Sequence, residues 1–398
     1  MGLLEFIAKE PTFIRRLKMK ILRTTVIGTG GRSRAHLPII RILSDKFKLV
    51  AICDIDEERS NAVATEFGVN GYTDIEKMLS TEKPDVCLIA TQAESHHVIA
   101  QVLAEKKIHI LTETPIALTV PCANKMIESA EKNGVLLEVS ENVRRWPHER
   151  LKRVIADAGI LGEIKEFYLS YTSGSYHGIS GIRNILASEA ISVVGEFPQE
   201  EEVRERGFIE WSKGIKGVYE YNKSKNNYWE IIGTKGVLKG GELHLNEGDK
   251  KLKIITETVN LAESKTVSRS YVETDPPIVW ENPMKNYALQ GADEVAVANA
   301  WISLYDGIVN DKPLDYGGEN GKKDVELLMA IRGSATENGK KISLPLTTAT
   351  EHEKILHSEF KNVYGIDIMD LTLDHLRKKY TLPDRLREFM YYGRILKK

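Results

Sequence analysis

Between residues 23 and 140 the apolar positions follow two alternating rhythms. The short, nearly continuous apolar runs "RTTVIG", "KLVAICD", "DVCLIAT", "IHILTE" and "VLLEVS" read as buried strands. The stretches "RAHLPIIRILSD", "EERSNAVATEFG" and "TDIEKMLS" between them carry helical spacing; Gly68 stops the second, and Thr73 or Asp74 caps the third. Strands of this kind separated by helices predict a parallel sheet covered on both faces, a doubly wound α/β domain over residues 23–146.

The rhythm changes at Pro147. "HERLKRVIADAG" reads as a helix ending at Gly159, and "IKEFYLSYTS", "GFIEWSK", "GVYEYN", "NYWEIIG", "ELHL" and "KLKIITETV" read as strands separated by Gly, Asn and Lys turns. Consecutive strands joined by short turns predict a mainly antiparallel sheet with one open, wetter face. Residues 284–310 and 321–338 return to helical spacing. Residues 147–346 are therefore expected to form a second α/β domain, for substrate and for oligomer contacts. Residues 347–398 read as a charged, helical extension that packs on the body or on a partner subunit, and residues 1–22 as an N-terminal extension.

Composition narrows the class. A chain of 398 residues is longer than one core supports, which agrees with two domains. The formal net charge of −2 offers no electrostatic reason for a nucleic-acid partner. Cys53, Cys87 and Cys122 form no C-x-x-C pair, so neither a zinc site nor a disulfide framework is indicated, and a reducing cytoplasm is the expected location. No apolar stretch approaches the roughly 20 residues that span a bilayer. In "MGLLEFIAKEPTFIRRLKMK" the apolar patch precedes the basic residues, the reverse of a signal peptide, and Phe6 stands where myristoylation expects Ser or Thr. This segment reads as a docking segment, with a membrane-surface helix as the alternative and Met19 as an alternative start.

Candidate chemistry begins at "TVIGTGGRSRAH", where a strand passes through a glycine turn into a helix. Gly28-x-Gly30 falls where a dinucleotide fold needs a tight turn and close backbone approach to pyrophosphate, and Gly31 adds freedom. Ser33 takes the third small position, and the helix start offers free N–H groups to phosphates. The second strand ends in Asp54, 24 residues after Gly30, the place of an acidic ribose ligand. A carboxylate there accepts from a ribose 2′-hydroxyl and repels a 2′-phosphate, so NAD is expected over NADP, with Arg32 as a partial offset.

"GTGGRSRAH" with its trailing His36, "GYTDIEKMLS", "KPDVCLIATQAESHHVIA" and "LTETPIAL" follow one another in an order and spacing that resemble the glucose–fructose oxidoreductase, inositol dehydrogenase and MocA family. "AGILGEI", "IIGTKG" and "NGKKISLPL" are similar to that family's later landmarks, so the resemblance covers roughly residues 22–346. It implies a Rossmann domain followed by an open-faced α/β domain whose sheet commonly forms a dimer or tetramer contact. It implies NAD(P) and sugar, cyclitol or polyol substrates. By position it puts Thr91 and His96 at the nicotinamide end and Glu113 beside the nicotinamide ribose. Two departures stand out. The family's Glu-Lys-Pro motif reads Glu113-Thr114-Pro115, and its lysine assists proton transfer. In "SGSYHGISGIR", His177 matches the histidine of D-x-G-x-H-x-x-D, while Ser173, Ser175 and Ser180 replace the aspartates and the glycine.

His177 is thus the candidate for acid–base work, with Glu113 beside it in the catalytic set. Thr114, Tyr176, Arg183, Glu141, Asn142 and Arg144 are candidate substrate contacts; "SENVRRWPHER" follows the last Rossmann strand and should enter the cleft. Glu94, His96 and His97 lack metal-ligand spacing, so no metal is expected. The leading expectation is an NAD-dependent oxidoreductase acting on a secondary hydroxyl. The alternatives are a redox-neutral glycosidase or epimerase working by transient oxidation, and a non-catalytic nucleotide-sensing or scaffold protein.

Overall fold

The computed structural model describes residues 20–377. The N-terminal docking segment, the alternative start at Met19 and the final "DRLREFMYYGRILKK" lie outside them. The first unit runs β1 (Leu22–Ile27), α1 (Gly31–Ile42), β2 (Phe47–Cys53), α2 (Glu57–Phe67), β3 (Asn70–Tyr72), α3 (Ile75–Glu82), β4 (Val86–Ile89), α4 (Ala93–Glu105), β5 (His109–Thr112), α5 (Val120–Asn133) and β6 (Leu137–Val139). Its six strands are all parallel in the order β3-β2-β1-β4-β5-β6, the doubly wound order with a switch point between β1 and β4. The inner strands are largely buried on both faces, as their apolar runs required, whereas the short edge strand β3 is mostly exposed.

The chain then makes one tight turn (Val143–Arg145) into α6 (Pro147–Asp157), β7 (Ile164–Ser170), α7 (Ser175–Leu186), β8 (Ala190–Glu196), β9 (Val203–Trp211), β10 (Lys216–Asn222), β11 (Tyr228–Gly233), β12 (Gly236–Lys239), β13 (Glu242–Leu245) and β14 (Lys250–Lys253). A three-stranded sheet follows, β15 (Ile255–Leu261), β16 (Ser264–Val272) and β17 (Ile278–Glu281), then α8 (Ala292–Asn310), α9 (Gly318–Thr336), β18 (Ile342–Ser343), α10 (Glu351–Tyr364) and α11 (Leu373–Leu376). The large sheet has nine strands, β14-β13-β12-β11-β7-β10-β9-β8-β18, antiparallel at every pairing except β7 with β10. Helix α9 packs directly on β8 and β9 where Gly195 and Gly207 leave room: a Cβ at Gly195 would lie 1.9 Å from the Ile331 carbonyl oxygen. On the opposite face the register aligns Tyr168, Val218, Phe208 and Val194 in one row across four strands. Phe208 is 46% exposed there.

Two readings from periodicity are corrected. "KLKIITETV" is two strands in two sheets, divided at Ile254, whose N–H donates to Gly241 (2.9 Å). Apolar alternation reports a half-buried face, not which sheet owns it. Residues 284–291 are not helical: α8 begins at Ala292, where Glu294 turns back to accept from the Gln290 N–H (2.6 Å). The segment after Gly174, to which periodicity assigned no element, is helix α7; its signal was the spacing of Ile179, Ile182 and Ile185, all buried.

Helix α8 packs back on α1 and on the parallel sheet, sharing a core with Leu22, Val26 and Phe47 through Trp301 and Tyr305. The start of the C-terminal extension packs on the body. Glu353 accepts from the Val120 N–H (2.8 Å), His357 bonds Thr119 Oγ1 (3.0 Å), and His97 Nε2 meets the Ile368 carbonyl (2.9 Å). No helix among the described residues is long and apolar enough to cross a membrane.

Gly195→Ala should drive a methyl group into the α9 backbone. The expected loss is roughly 1–3 kcal/mol of unfolding free energy, read from urea denaturation midpoints, with Gly241→Ala as the control, since Gly241 has open space around its Cβ direction and no positive φ.

Candidate functional site

The loop after β1 carries the nucleotide features. Gly28 has φ +92°, and a Cβ there would lie 2.5 Å from the Ala90 carbonyl and 3.0 Å from Thr91 Cγ2. Glycine is thus required for β1 to turn against the end of β4. Gly30 and Gly31 face open space, and α1 begins with no side-chain cap, so its first N–H groups point unpaired at the switch-point crevice. Ser33 Oγ donates to the Gly30 carbonyl (2.7 Å) and braces the turn. These features fit a dinucleotide pyrophosphate.

Asp54 stands at the end of β2. Its Oδ2 accepts from the Thr29 N–H (2.8 Å) and Oγ1 (2.7 Å), and its Oδ1 accepts from the Asp56 N–H and from Arg59 Nη2 (both 2.9 Å). Burial alone would raise the Asp54 pKa; these donors overcome it and hold the carboxyl below its ordinary value. Arg59 is half exposed, so its contact is the one a ribose hydroxyl can replace. Arg59 was absent from the sequence reading, although it lies only five residues beyond Asp54.

Thr91 Oγ1 pairs with Ser95 Oγ (2.7 Å). His96 is buried with its ring nitrogens against the Thr91 and Ile116 carbonyls (both 3.1 Å), so it ties the β4 turn to the β5 turn. Burial pulls its pKa down, which keeps it neutral.

Glu113 is buried one residue beyond β5. Its Oε1 accepts from His36 Nε2 (2.7 Å) and Arg32 Nε (3.1 Å), and its Oε2 accepts from the Thr114 N–H (3.1 Å). Trp301 Nε1–H donates to His36 Nδ1 (3.0 Å). Because indole nitrogen only donates, the His36 proton sits on Nε2 and points at Glu113. Burial would raise the Glu113 pKa, but the His36 and Thr114 hydrogen bonds and the Arg32 charge reverse that and keep it well below the usual carboxylate range. Arg32 also reaches Asp293 of α8 (3.5 Å). It therefore lies at the Glu113 end of the cleft, and Arg59 is the cation beside Asp54.

His177 faces the same corner. Its Nδ1 is 2.8 and 2.9 Å from the two oxygens of Glu141, whose Oε1 also accepts from the Val143 N–H (3.0 Å). Burial disfavours the imidazolium, but Glu141, by charge and hydrogen bond, and Glu113 outweigh it, so the His177 pKa is raised. With Nδ1–H donated to Glu141, Nε2 is the ring nitrogen left for a substrate. The Tyr176 ring lies 4.5 Å from the His177 ring, and the Thr114 hydroxyl donates to Glu113 Oε2 (3.5 Å). Gly174, φ +97°, admits both: a Cβ there would meet His177 Cδ2 at 2.9 Å and the Tyr176 hydroxyl at 3.1 Å.

The structure thus brings together Arg32, Glu113, Thr114, Glu141, Tyr176 and His177. Asn142 lies at the edge, donating to Asp293 (2.6 Å). Arg144 stacks on Tyr316 (4.0 Å) and donates to Asn184 Oδ1 (3.3 Å). Arg183 is placed elsewhere: it is buried and committed to Asp324 (2.6 Å), Glu189 (2.7 Å) and the Tyr316 hydroxyl (2.8 Å). Ser180 joins that cluster through Tyr316 (2.9 Å), and Ser173 Oγ accepts from Asn227 (3.1 Å). Trp301, Asp293 and Gly174 were not singled out from the sequence. The first two lie in α8 without any local motif.

Residues 22–141 match GFO_IDH_MocA, an oxidoreductase family with an NAD-binding Rossmann fold. The D-apiose dehydrogenase of Paraburkholderia graminis is 35% identical over 158 residues, 39% of this chain and 40% of that protein. The D-glucoside 3-dehydrogenase of Escherichia coli is 29% identical over 145 residues, 36% of this chain and 41% of that protein. The chain therefore matches only about two fifths of the length of these relatives. Levoglucosan dehydrogenase, solved with NADH and levoglucosan, shares the fold with a TM-score of 0.65 at 19% identity, covering 82% of this chain and 100% of that one.

Asp54→Ser should remove the ribose acceptor and leave Arg59 unpaired. The preference for NAD over NADP is expected to narrow roughly tenfold, the scale of one charged hydrogen bond, in dissociation constants measured by calorimetry for both nucleotides.

Proposed function

We propose, from the match of residues 22–141 to the GFO_IDH_MocA oxidoreductase family, that the protein is an NAD-dependent dehydrogenase that oxidises a secondary hydroxyl of a sugar, cyclitol or related polyol. The observation that carries this reading is the His177–Glu141 pair set beside Glu113 and Thr114 at the carboxyl edge of the parallel sheet. Relatives named for D-apiose, myo-inositol and D-glucosides support the substrate class.

NAD, when bound, would supply the hydride acceptor. Gly28, Gly30 and the start of α1 would hold its pyrophosphate, Asp54 a ribose hydroxyl, and Glu113 the region of the second ribose. His177 Nε2 would take the hydroxyl proton as the substrate C–O bond becomes C=O. Glu141 holds the ring in the tautomer that leaves Nε2 unprotonated and stabilises the imidazolium that forms.

The same reading extends to assembly. The row Tyr168, Val218, Phe208 and Val194 leaves an apolar strip on the open sheet face, flanked by the charged row Glu166, Lys216 and Glu210. A second copy of the chain is its occupant, in a dimer or tetramer. Phe208→Glu is expected to shift a light-scattering mass to that of the monomer; an unmodified protein that is monomeric at micromolar concentration removes the proposal.

Screening polyols, sugars and cyclitols for NADH formation tests the activity. His177→Ala should lower turnover at least tenfold, within the roughly 10²- to 10⁴-fold range of a positioned base, and leave NAD affinity nearly unchanged. The rate should rise with pH through a pKa above the ordinary histidine value, because the base must be free. Glu141→Gln removes the charge that stabilises the imidazolium, so that limb should move to lower pH. Tightly held NAD that survives dialysis, with glycoside cleavage and no net NADH, would favour transient oxidation instead.

A further inference from the structure

The chain continues beyond residue 346, where the family resemblance ends. Residues 347–371 run back from the second domain onto the Rossmann domain, against the starts of α4 and α5. Helix α5 follows the loop 113–119, whose first two residues, Glu113 and Thr114, line the catalytic corner. That loop belongs to no strand or helix. Glu113 itself is held by His36 and Arg32. From Pro115 to Val120, three side chains elsewhere among the described residues hold the loop by hydrogen bonds. The Ile116 carbonyl meets His96 Nδ1 (3.1 Å), the Thr119 hydroxyl meets His357 Nε2 (3.0 Å), and the Val120 N–H donates to Glu353 Oε1 (2.8 Å). Two of these three side chains come from α10. The third, His96, adjoins His97, whose Nε2 lies 2.9 Å from the Ile368 carbonyl of the same returning segment. Leu356, Phe360 and Ile368 of that segment share one buried apolar cluster with Ile116 and Leu118 of the loop.

A helix start has N–H groups without partners in the helix, and the preceding residue normally caps them. At α5 that local cap is missing. Thr119 turns its hydroxyl to His357 and Cys122, and no acidic residue lies in the first turn. Glu353, fully buried, supplies the cap from 233 residues away. Its other oxygen accepts from the Thr350 N–H (2.8 Å) at the start of its own helix. One carboxylate thus starts both α5 and α10. We propose that Glu353 and His357 are positioning residues for the catalytic corner: the returning segment braces the loop 113–119 and fixes where Glu113 and Thr114 meet the nicotinamide end of the cofactor. The proposal rests on the reading that puts Glu113 beside the second ribose. Both residues act through the loop. A displacement of about 1 Å at a reacting group costs much of its contribution, and this loop has no sheet or helix of its own to prevent one.

The test separates the two ends of the cofactor. 5′-ADP carries only the half assigned to Asp54 and the glycine turn, whereas NADH extends to Glu113. In the full chain, Thr119→Val removes the hydroxyl that His357 holds at nearly constant volume, and Glu353→Ala removes the cap. By calorimetry, each should weaken NADH binding about tenfold and leave ADP binding within about twofold. Thr119→Ser keeps the hydroxyl and should hold NADH affinity within about twofold of the unmodified protein. With any polyol that the unmodified protein oxidises, Thr119→Val should lower kcat about tenfold. NADH and ADP affinities that fall together, or that both stay unchanged, overturn the proposal. So does a lowered melting temperature with the NADH-to-ADP ratio intact, which is the result of a packing role alone. Should Glu353→Ala fail to fold, the Thr119 variants decide by the same ratio. If no polyol is oxidised, the dehydrogenase reading fails, while the NADH-to-ADP ratio still decides the brace.

Discussion

The buried carboxylate of Glu113 is the constraint around which the cleft is organised. A carboxylate out of water costs several kcal/mol unless its lone pairs are met. Three donors meet it from two places: Arg32 and His36 on α1, and the N–H of Thr114. His36 can donate only because Trp301 occupies its other nitrogen. Trp301 belongs to α8, some 190 residues beyond Glu113 in the chain. The nucleotide turn, the end of β5 and a helix from the far half of the sequence are thereby fixed relative to one carboxyl group, and Thr114 is placed as a consequence.

The opposite wall is fixed by buried ion pairs. Arg145 pairs with Glu138 and, at 2.9 Å, with Asp315, which Arg150 also holds at 2.6 Å. Arg183 joins α7 to Asp324 of α9, and Arg332 of α9 joins Glu205 of β9 (2.8 Å). Pairs of this kind add little net stability over well-packed apolar residues, but breaking one leaves an uncompensated charge. Their effect here is on register. They hold α7 between the tight turn at Val143–Arg145 and α9, and α7 carries Tyr176 and His177 at its first turn. Arg183 is best understood in this way: its six-residue separation from His177 turns it to a different side of the helix, where Asp324 and Glu189 wait.

What could be read from the sequence follows from how local each signal is. The parallel sheet, short β3 apart, was legible because its strands are apolar runs and two of its helices open on side-chain caps, Asp56 and Asp74. Gly28, Gly30 and Asp54 were legible because the turn and the strand end are contiguous. His177 and Glu141 were both named as candidates, but their contact was not, because 36 residues and a change of domain separate them. Helix α7 was obscured by its glycines and serines, which weaken helix propensity; tertiary burial of Ile179, Ile182 and Ile185 overrides it. The division of "KLKIITETV" between two sheets, the role of Trp301 and the ion pair of Arg32 with Asp293 depend on contacts that no short window contains.

A lysine beside Glu113, as in the motif Glu-Lys-Pro, combines two duties: it neutralises the carboxylate and it handles a proton. This chain separates them. Arg32 supplies the cation, 3.1 Å from Glu113, and a guanidinium does not give up its proton in this pH range. The charge around Glu113 is therefore constant through a catalytic cycle. In the proposed mechanism the proton goes to His177, whose affinity for it Glu141 raises through Nδ1. Once the duties are divided, an ammonium at position 114 would face Arg32 and an imidazolium at 177 across one small corner, and each like charge would depress the others' protonation. A threonine adds no charge and keeps the N–H that anchors the Glu113 carboxylate.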